Sequence, residues 1–382
     1  MNIVLVAGEH SGDTLGAAVI DAIHEIALKA EFQGIGGPKM QERGLQSWHA
    51  LNLIAHHGIF EVTKHLSTIL RVRRDIIARC LKEKPTLYIG IDAPSFNFYI
   101  EAKLKKAGIP TVHIVSPQLW AWRPNRITKI KTAIDQMFVL FPFEEAPYRA
   151  SGIPVACIGH PLAQEIQPLD QQAARKLFGL SAKDCVITLL PGSRMSEMAA
   201  HSHLFIQTAL SFAQQKTNCH FIVPVVDEGS KDYFLQIAKK EAPWLSWEII
   251  VRQHRAAIAA SDAVLAASGT VTLEVALLER PMLIAYRLNP LTYAIAKHIV
   301  KTPWIGLPNI LLQDSVIPEF LQDKAKPKNM AGALLGLLEP LPRRKQVEAF
   351  RIMREKLHCN TAAILKEQLR EFLQPYDAGA CH

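Results

Sequence analysis

Short apolar runs alternate along the chain with longer stretches whose apolar positions recur every three or four residues. Continuous apolar runs of this kind are typical of strands buried on both faces of a parallel sheet, and the longer stretches are typical of the helices that connect them. The pattern therefore predicts an α/β chain with two doubly wound, Rossmann-like sheets. The runs lie at residues 2–7, 86–91, 110–115, 136–140 and 153–158 in the first half, and at 185–190, 220–225, 247–251, 262–266 and 281–286 in the second.

The periodicity breaks at residues 163–172, where Pro168 lies among polar neighbours, so we predict a linker there. A chain of 382 residues is too long for one ordinary core and suits two α/β domains. We expect a first domain at residues 1–165 and a second at 166–342, which face each other across a cleft. A helical tail at 343–382 is expected to pack back on the first domain.

Composition narrows the class of protein. With 49% hydrophobic and 20% charged residues the chain is expected to be globular. Its apolar runs fall short of the roughly 20 residues that a membrane helix needs, and it enters a strand pattern without a basic leader, which favours the cytoplasm. The six cysteines lack the pairing of a metal site. The net charge of +8 allows attraction to nucleic acid, anionic lipid or phosphorylated substrates without choosing among them.

A candidate anion-binding turn follows the apolar run at 185–190. The run stops at Pro191 and Gly192 and passes through Ser193 and Arg194 into a helical stretch that carries Glu197. A strand, a turn and a helix direct backbone N–H groups and the positive end of the helix dipole at one place, which suits a phosphate, and an Arg adds a planar cation. A structural corner with an exposed Arg explains this stretch equally well, so both interpretations stay open on these residues alone.

A second turn of the same kind follows the run at 262–266. Ser268, Gly269 and Thr270 are predicted to begin a helix and to donate to a diphosphate, and Glu274 to accept from ribose hydroxyls. A hydroxyl cap with an acid in the first helical turn is the alternative without a ligand. The presence of two such turns in one sheet favours the interpretation that they bind a ligand. Asn309, in a later irregular stretch, is expected to reach the same cleft.

In the first half, the run at 86–91 ends in Asp92, where open α/β sheets bind their ligands. Asp92 is therefore a candidate general base, although capping of the next helix, with Pro94 in its first turn, is an equally good explanation. Gly8, Ser11 and Gly12 form the turn after the first run and permit close approach of an acceptor substrate. They do not make a dinucleotide fingerprint.

The stretch at 58–74 predicts an amphipathic helix with a basic face. Such a helix lies against a membrane or holds an acyl chain, or else packs on the core with its charged face in solvent, which the stretch alone favours. Trp122, Arg123 and Arg126 lie in a further basic stretch that suits phosphate, a stacked base or a bilayer surface. No nucleic-acid module accompanies it, so nucleic acid ranks last. The helix's apolar positions include Ile59, Phe60, Val62, Leu66 and Ile69.

Taken in order, motifs over nearly the whole chain resemble those of lipid-A-disaccharide synthases. The first-half motifs are Val6-Ala7-Gly8-Glu9 with Ser11-Gly12-Asp13, Gly90-Ile91-Asp92-Ala93-Pro94, Trp120-Ala121-Trp122-Arg123 with Arg126, and Gly159-His160-Pro161. The second-half motifs are Leu190-Pro191-Gly192-Ser193-Arg194 with Glu197, Ser268-Gly269-Thr270 with Leu273-Glu274, and Leu307-Pro308-Asn309.

The resemblance implies a glycosyltransferase of the two-Rossmann type called GT-B, which inverts the sugar and uses neither metal nor cofactor. It would join UDP-2,3-diacylglucosamine to 2,3-diacylglucosamine 1-phosphate (lipid X) in a β-1,6 link and release UDP. Such enzymes act in lipid A biosynthesis of Gram-negative bacteria, as peripheral proteins on the cytoplasmic face of the inner membrane with its anionic lipids. The sequence leaves the oligomeric state open, a homodimer included.

The resemblance also suggests roles for individual residues. Residues that match Asp92 and Arg194 are implicated in activity, which agrees with the need for a base and for a cation near the departing diphosphate. The expected UDP contacts are Gly192, Ser193, Arg194, Glu197, Ser268, Gly269, Thr270, Glu274 and Asn309. The expected acceptor and lipid contacts are Gly8, Ser11, Gly12, Ile59, Phe60, Val62, Leu66, Ile69, Trp122, Arg123 and Arg126.

Two positions depart from the family pattern, which often has Asp where this chain has Ser95 and an acid where it has Gln164. Ser95 removes a second carboxylate, so Asp92 is the better base candidate. Two other functions fit the same fold and nucleotide site. A UDP-sugar epimerase would turn over without a lipid acceptor, and a membrane-associated nucleotide binder without activity would tolerate loss of Asp92.

Overall fold

The computed structural model describes residues 1–54, 59–119, 126–289, 293–294 and 302–377. It divides into two compact units, which are Met1–Pro161 with Cys359–His382 (unit 1) and Leu162–His358 (unit 2). Among the described helices, none has both the length and the apolar character to span a bilayer. Each unit is built around its own parallel sheet.

In the described part of unit 1, seven parallel strands have the order β3-β2-β1-β4-β5-β6-β7. They are β1 Asn2–Ala7, β2 Glu31–Ile35, β3 Leu45–Ser47, β4 Leu87–Ile91, β5 Thr111–Ile114, β6 Gln136–Val139 and β7 Val155–Cys157. The helices are α1 His10–Ile26, α2 Pro38–Gln41, α3 Ile59–Glu83, α4 Pro94–Lys106, α5 Ile127–Lys131 and α6 Glu145–Ala150. The strand order reverses between β1 and β4, so the turns after these two strands lie side by side at the usual ligand position of such sheets.

Unit 2 repeats this plan with six described strands in the order β10-β9-β8-β11-β12-β13. They are β8 Cys185–Leu190, β9 Cys219–Val225, β10 Trp247–Val251, β11 Ala263–Ala267, β12 Met282–Tyr286 and β13 Glu319–Leu321. The helices are α7 Pro161–Glu165, α8 Gln171–Lys176, α9 Met195–Ala213, α10 Glu228–Glu241, α11 His254–Ala260, α12 Val271–Leu277, α13 Leu307–Leu312, α14 Pro327–Leu338 and α15 Pro340–Leu357. The order reverses between β8 and β11, which places the two candidate anion turns next to each other.

The two predicted doubly wound sheets are confirmed. The central strands are almost completely buried on both faces, which explains why they appear in the sequence as unbroken apolar runs. In unit 2, helices α9 and α14 cover one face, where Phe205 and Leu334 pack against Leu189 and Leu265 of the sheet. The short edge strands β3 and β13 were not predicted, because neither lies in an apolar run.

The domain boundaries differ from the expected ones. The first lies after Pro161 instead of residue 165, and the second lies after His358 instead of residue 342. Helix α15, which was expected to pack on the first domain, belongs to unit 2. The Gln346 side chain accepts from the Met282 N–H and donates to the Met282 carbonyl, and Phe350 and Met353 are buried.

The chain returns to unit 1 only in its last described helix, α16 Thr361–Asp377. This helix packs against α1 and buries Leu365, Leu369 and Leu373. The Thr361 hydroxyl also donates to the Ile158 carbonyl, at the end of the first sheet. The second half of the expected tail therefore packs on unit 1, and the first half does not.

Candidate functional site

A cleft of about 820 Å³ opens at the carboxyl edge of the sheet in unit 2. We call it the unit 2 cleft. It brings together every predicted UDP contact except Asn309, and it adds residues at the carboxyl ends of β9, β10 and β12. Among the described residues, no three His, Cys, Asp or Glu side chains converge as metal ligands would. The lining includes Gly192, Ser193, Arg194, Glu197, Val226, Arg252, His254, Ser268, Gly269, Thr270, Glu274 and Tyr286.

The turn between β8 and α9 is already filled by a carboxylate of the chain itself. Glu197 Oε2 accepts the N–H groups of Ser193 at 2.9 Å and Arg194 at 3.3 Å, and Oε1 lies 3.4 Å from Arg194 Nη1. Gly192 has φ +133°, and a Cβ there would lie 2.3 Å from Glu197 Cβ. The backbone donors of this turn thus serve a capping box, while 62% of the Arg194 side chain remains exposed.

The turn between β11 and α12 is different because the described residues leave its first backbone N–H groups without an acceptor. The N–H groups of Gly269, Thr270 and Val271 have no acceptor within the described parts of the chain. The Ser268 hydroxyl is used, since it donates to the Ile305 carbonyl at 2.8 Å. Free amides at a helix start favour an anion, so this turn is the better phosphate position of the two.

Glu274 lies one turn further into α12 and is held as an acceptor. His254 Nε2 and Arg255 Nε both bond to its Oε2, at 3.0 and 2.9 Å. Burial acts to raise the Glu274 pKa, but the hydrogen bonds and charges of these two partners outweigh it and lower the pKa overall. Glu274 Oε1 has no protein donor among the described residues, so it can accept from a ligand hydroxyl.

Asn309 does not line the unit 2 cleft, contrary to the prediction. It is completely buried, its Nδ2 donates to the Ile317 carbonyl and to Glu319 Oε1 at 2.8 Å each, and its Oδ1 accepts the Ile317 N–H. Glu319 also accepts the N–H groups of Ile305 and Gly306, at 2.8 and 3.0 Å. Asn309 and Glu319 therefore hold the loop whose Ile305 carbonyl binds Ser268.

His201 was missed by the sequence analysis. It is 1% exposed, its Nδ1 lies 3.0 Å from the Pro191 carbonyl, and its Nε2 accepts the Arg287 N–H at 3.0 Å. These partners fix the neutral tautomer with the proton on Nδ1, and burial lowers the His201 pKa. His201 thus ties the β8–α9 turn to the end of β12. A histidine on the buried face of a helix looks like any core histidine in sequence.

Arg252 and His254, which also line the unit 2 cleft, were missed as well. The sequence does carry a signal for them, because both residues follow the apolar run that forms β10, at the edge where such sheets bind ligands. Arg252 has φ +62°, its N–H donates to the Val225 carbonyl, and its Nε donates to the Val226 carbonyl.

In unit 1, Asp92 follows β4 with a left-handed backbone. Its φ is +57° and that of Ala93 is +43°, and Oδ1 accepts the Ala93 N–H at 2.7 Å. The N-cap of α4 is Ala93, without a side-chain bond, so the capping interpretation of Asp92 is wrong. Asp92 Oδ2 has no hydrogen bond within the described parts of the chain, which leaves it available as a base.

The predicted acceptor turn lies beside Asp92. Gly8 is packed so closely that a Cβ there would lie 2.3 Å from Ala93 Cβ, and its N–H donates to the Ile91 carbonyl. Gly12 is buried against Ala7, and Ser11 is exposed. The glycines therefore serve close packing at the Asp92 turn, and Ser11 is the part of this turn open to a ligand.

Helix α3 has a mixed environment. Val72 and Ile76 are buried and Ile69 is half-buried, whereas Leu66 is 47% exposed. The core-facing interpretation thus holds for the later turns of the helix and not for Leu66. The structure does not describe the side chains of Ile59, Phe60 and Val62, and Trp122 and Arg123 lie outside the described residues. Arg126 directly precedes α5.

The half-buried Arg73 and the exposed Lys103 lie close to an exposed aromatic ring where α3 packs on α4. The Arg73 guanidinium lies 4.1 Å from the centre of the Tyr99 ring, and Lys103 Nζ lies 5.9 Å from it. Tyr99 is 48% exposed, and Arg71 and Arg74 are exposed on the same helix as Arg73. A half-exposed ring between cations suits the interface between water and a lipid surface.

Comparison with known proteins gives one consistent result. A family model described as "Lipid-A-disaccharide synthetase" matches residues 3–372. The chain is 46% identical over 342 residues to the lipid-A-disaccharide synthase of Azotobacter vinelandii, which covers 89% of this chain and 90% of that protein. It is 40% identical over 383 residues to that of Cellvibrio japonicus, with 99% of both chains covered.

Solved structures of low sequence identity share the fold. The UDP-GlcNAc 2-epimerase of Neisseria meningitidis bound to UDP-GlcNAc superimposes with a TM-score of 0.61 at 13% identity, over 97% of this chain and all of that one. The calicheamicin glycosyltransferase CalG4 gives a TM-score of 0.58 at 14% identity, over 98% of both chains. The fold is therefore the two-Rossmann-domain GT-B fold.

Proposed function

The chain belongs to the lipid-A-disaccharide synthetase family, and on that premise we propose that it transfers a sugar from UDP-2,3-diacylglucosamine to 2,3-diacylglucosamine 1-phosphate. The products are the β-1,6-linked disaccharide 1-phosphate and UDP. The observation that carries the proposal is the family match over residues 3–372. The unit 2 cleft supports it, since it combines free amides, a cation and an ionised acceptor, as a nucleoside diphosphate requires.

Unit 2 binds the donor in this proposal. The diphosphate lies at the amides of Gly269, Thr270 and Val271, where the start of α12 favours negative charge. The exposed Arg194 guanidinium bonds the phosphate that departs, and Glu274 Oε1 accepts from a ribose hydroxyl. Arg194 thereby lowers the energy of the charge that develops on UDP as the sugar leaves.

Unit 1 supplies the base. The acceptor hydroxyl oxygen forms a bond to C1 of the donor sugar while the bond from C1 to the β-phosphate oxygen breaks. Asp92 takes the hydroxyl proton, the electron pair leaves on UDP, and attack on the face opposite the leaving group inverts the sugar. Asp92 suits this role because its Oδ1 is held by Ala93 and its Oδ2 is available. Ser95 is exposed and brings no second carboxylate to the turn.

We further propose that the protein binds peripherally to the anionic lipids on the cytoplasmic face of the inner membrane, where its acylated substrates lie. The exposed Leu66 and Tyr99, with Arg73, Lys103 and the exposed arginines of α3, give this surface both an apolar and a cationic part. Binding to vesicles that contain anionic phospholipid is expected to weaken as salt rises. Equal binding to neutral vesicles contradicts the charge contribution.

The deciding experiment is incubation with both acylated substrates, followed by mass measurement of the disaccharide phosphate. Formation of that product with UDP release is the expected result. Asp92→Asn is expected to lower turnover by about 10²–10⁴-fold, because a general base is lost, and Ser95→Ala, its exposed neighbour, is the matched control. Conversion of the UDP-sugar without an acceptor points instead to an epimerase. UDP and vesicle binding without turnover points to a binding protein.

A further inference from the structure

A fully buried amide side chain lies directly beneath the Asp92 turn. Asn97, on α4, donates from Nδ2 to the Asp92 carbonyl at 2.9 Å and to the Val6 carbonyl at 3.2 Å. Its Oδ1 accepts the Tyr88 hydroxyl at 2.9 Å. One side chain therefore joins the ends of β1 and β4, the two central strands between which the sheet order reverses.

The turn that Asn97 holds is strained. Asp92 and Ala93 are successive residues without the freedom of glycine, and both have positive φ. Such conformations cost on the order of 1–3 kcal/mol each and persist only where neighbours enforce them. At Asp92 the N–H donates to the Ile114 carbonyl and the carbonyl accepts from Asn97, so both backbone groups are fixed. The direction of the Asp92 carboxylate follows from this backbone.

Neighbouring residues fix Asn97 itself. The Tyr88 hydroxyl is buried and occupies Oδ1, so the amide nitrogen must face the two carbonyls. Gly90 leaves the room, since a Cβ there would lie 3.0 Å from Asn97 Cβ and 2.1 Å from Glu101 Oε1. This explains the glycine two positions before Asp92 by packing and not by contact with a ligand.

We infer that Asn97 is a positioning residue for the transfer reaction, which holds the Asp92 carboxylate in the orientation that accepts the acceptor's proton. Asn97 is completely buried and touches no substrate, so it acts through Asp92. The inference rests on the proposed role of Asp92 as base. A displacement of about 1 Å in such a group can cost a factor of about 10² in rate.

The test is a double-mutant cycle in the full-length protein with Asn97→Ala and Asp92→Asn. Asn97→Ala alone is expected to lower kcat by about 10- to 100-fold, and to change the residual rate of Asp92→Asn by less than about threefold, because the group that it positions is then absent. The dissociation constant for UDP, which unit 2 binds, should stay within about twofold.

Two further variants keep the test decisive. Tyr88→Phe frees the Asn97 amide to turn while leaving the residue in place, so it is expected to lower kcat several-fold even if Asn97→Ala folds poorly. Thr111→Val is the matched control, since it removes the contacts of another buried hydroxyl of unit 1, to the Ala133 carbonyl and Asp135 Oδ2. Thr111 begins β5, whereas the Asp92 N–H binds the Ile114 carbonyl where β5 ends. Thr111→Val should lower thermal stability without lowering kcat.

Two outcomes overturn the inference separately from the proposed function. If Asp92→Asn lowers turnover as expected but Asn97→Ala lowers the wild-type rate and the residual Asp92→Asn rate by the same factor, Asn97 acts through something other than Asp92. If both the folded Asn97→Ala protein and Tyr88→Phe keep wild-type kcat, Asn97 does not position the base. If Asp92→Asn keeps wild-type turnover, the base assignment itself is wrong and the inference falls with it.

Discussion

At the scale of single residues, Arg194 and Glu197 show how one turn can meet two demands. The Glu197 carboxylate satisfies the amides of Ser193 and Arg194, and the same carboxylate lies beside the guanidinium that we propose for the diphosphate. A carboxylate at this place stabilises the start of α9, and it also opposes the binding of a second anion. Glu197 therefore fixes the backbone of the turn and at the same time lowers its affinity for an anionic ligand.

This opposition gives a prediction for Glu197→Gln. The amide oxygen of Gln can still cap the turn, but the negative charge is gone. Two unit charges 4 Å apart interact by about 1 kcal/mol in water, so we expect the dissociation constant for UDP to fall by about two- to fivefold. Isothermal titration calorimetry measures it, with Arg194→Ala as the reference in which binding weakens. Weaker binding by Glu197→Gln would show that the carboxylate contacts the ligand directly.

The buried His201 gives a prediction for how the stability of the folded protein depends on pH. Burial lowers its pKa in the folded protein below the ordinary value of about 6.5, so the unfolded chain takes up the proton first as pH falls. The stabilisation is complete above the unfolded pKa and is lost as pH falls through the folded one. Protonation also removes the acceptor for the Arg287 N–H. The charged groups that act on the His201 pKa are Glu197, which raises it, and the Arg287 side chain, which lowers it.

We therefore expect the melting temperature to fall between pH 7 and pH 5, and to fall less in His201→Gln, whose amide can accept the same N–H without titrating. Differential scanning calorimetry at both pH values checks this. His358, which is exposed and follows α15 in the same unit, is the control, and His358→Gln should keep the wild-type dependence. Equal dependence in His201→Gln and the wild type would assign the effect to other groups.

At the scale of elements, β13 fixes the loop before α13, and that loop fixes the β11–α12 turn of the unit 2 cleft. Glu319, on β13, receives the N–H groups of Ile305 and Gly306 and the Asn309 amide, and the Ile305 carbonyl receives the Ser268 hydroxyl. Burial raises the Glu319 pKa, and these three donors act in the opposite direction. The β11–α12 turn is thus fixed from the edge strand β13, which lies two strands away from β11.

Glu319→Gln tests this arrangement. The new amide group can no longer accept both backbone N–H groups, and an unpaired buried donor costs about 1–3 kcal/mol. We expect the loop to shift and UDP binding to weaken by about tenfold, although residue 319 does not line the unit 2 cleft. Glu228→Gln, at a residue whose side chain is 74% exposed in the same unit, is the control. Unchanged UDP affinity in Glu319→Gln would separate the loop from the site.

How far the sequence predicts these elements depends on where their partners lie. Buried parallel strands appear as apolar runs, so both sheets and the turns after β8 and β11 could be predicted. Glu197 lies three residues after Arg194, which is the spacing of the acid in a capping box, but an Arg at the first position lacks the hydroxyl or carboxylate of that sequence signature. Asn309 could not be placed, because its partners Ile317 and Glu319 lie on a later segment. Nothing in the sequence indicates the positive φ of Ala93 either, since alanine rarely adopts it.

At the scale of the whole molecule, the chain passes from unit 1 to unit 2 after Pro161 and returns after His358. Unit 1 is therefore completed by a segment that follows unit 2 along the chain. The leucines of α16 recur at every fourth position and form one buried stripe against α1, with the Lys366–Glu25 ion pair and the Gln136–Gln368 hydrogen bond at its sides. The stability of unit 1 depends on this last helix.

Leu369→Ala tests that dependence. Leu369 is completely buried, and removal of a buried leucine side chain costs about 2–5 kcal/mol. Hydrogen exchange followed by mass spectrometry should show faster exchange throughout α1 and α16, with unit 2 and its UDP affinity unchanged. Leu341→Ala, at a residue 81% exposed at the start of α15, should have an effect within about 0.5 kcal/mol. If Leu369→Ala also speeds exchange in the core of unit 2, the two units unfold together, and the donor site depends on the final helix as much as the Asp92 turn does.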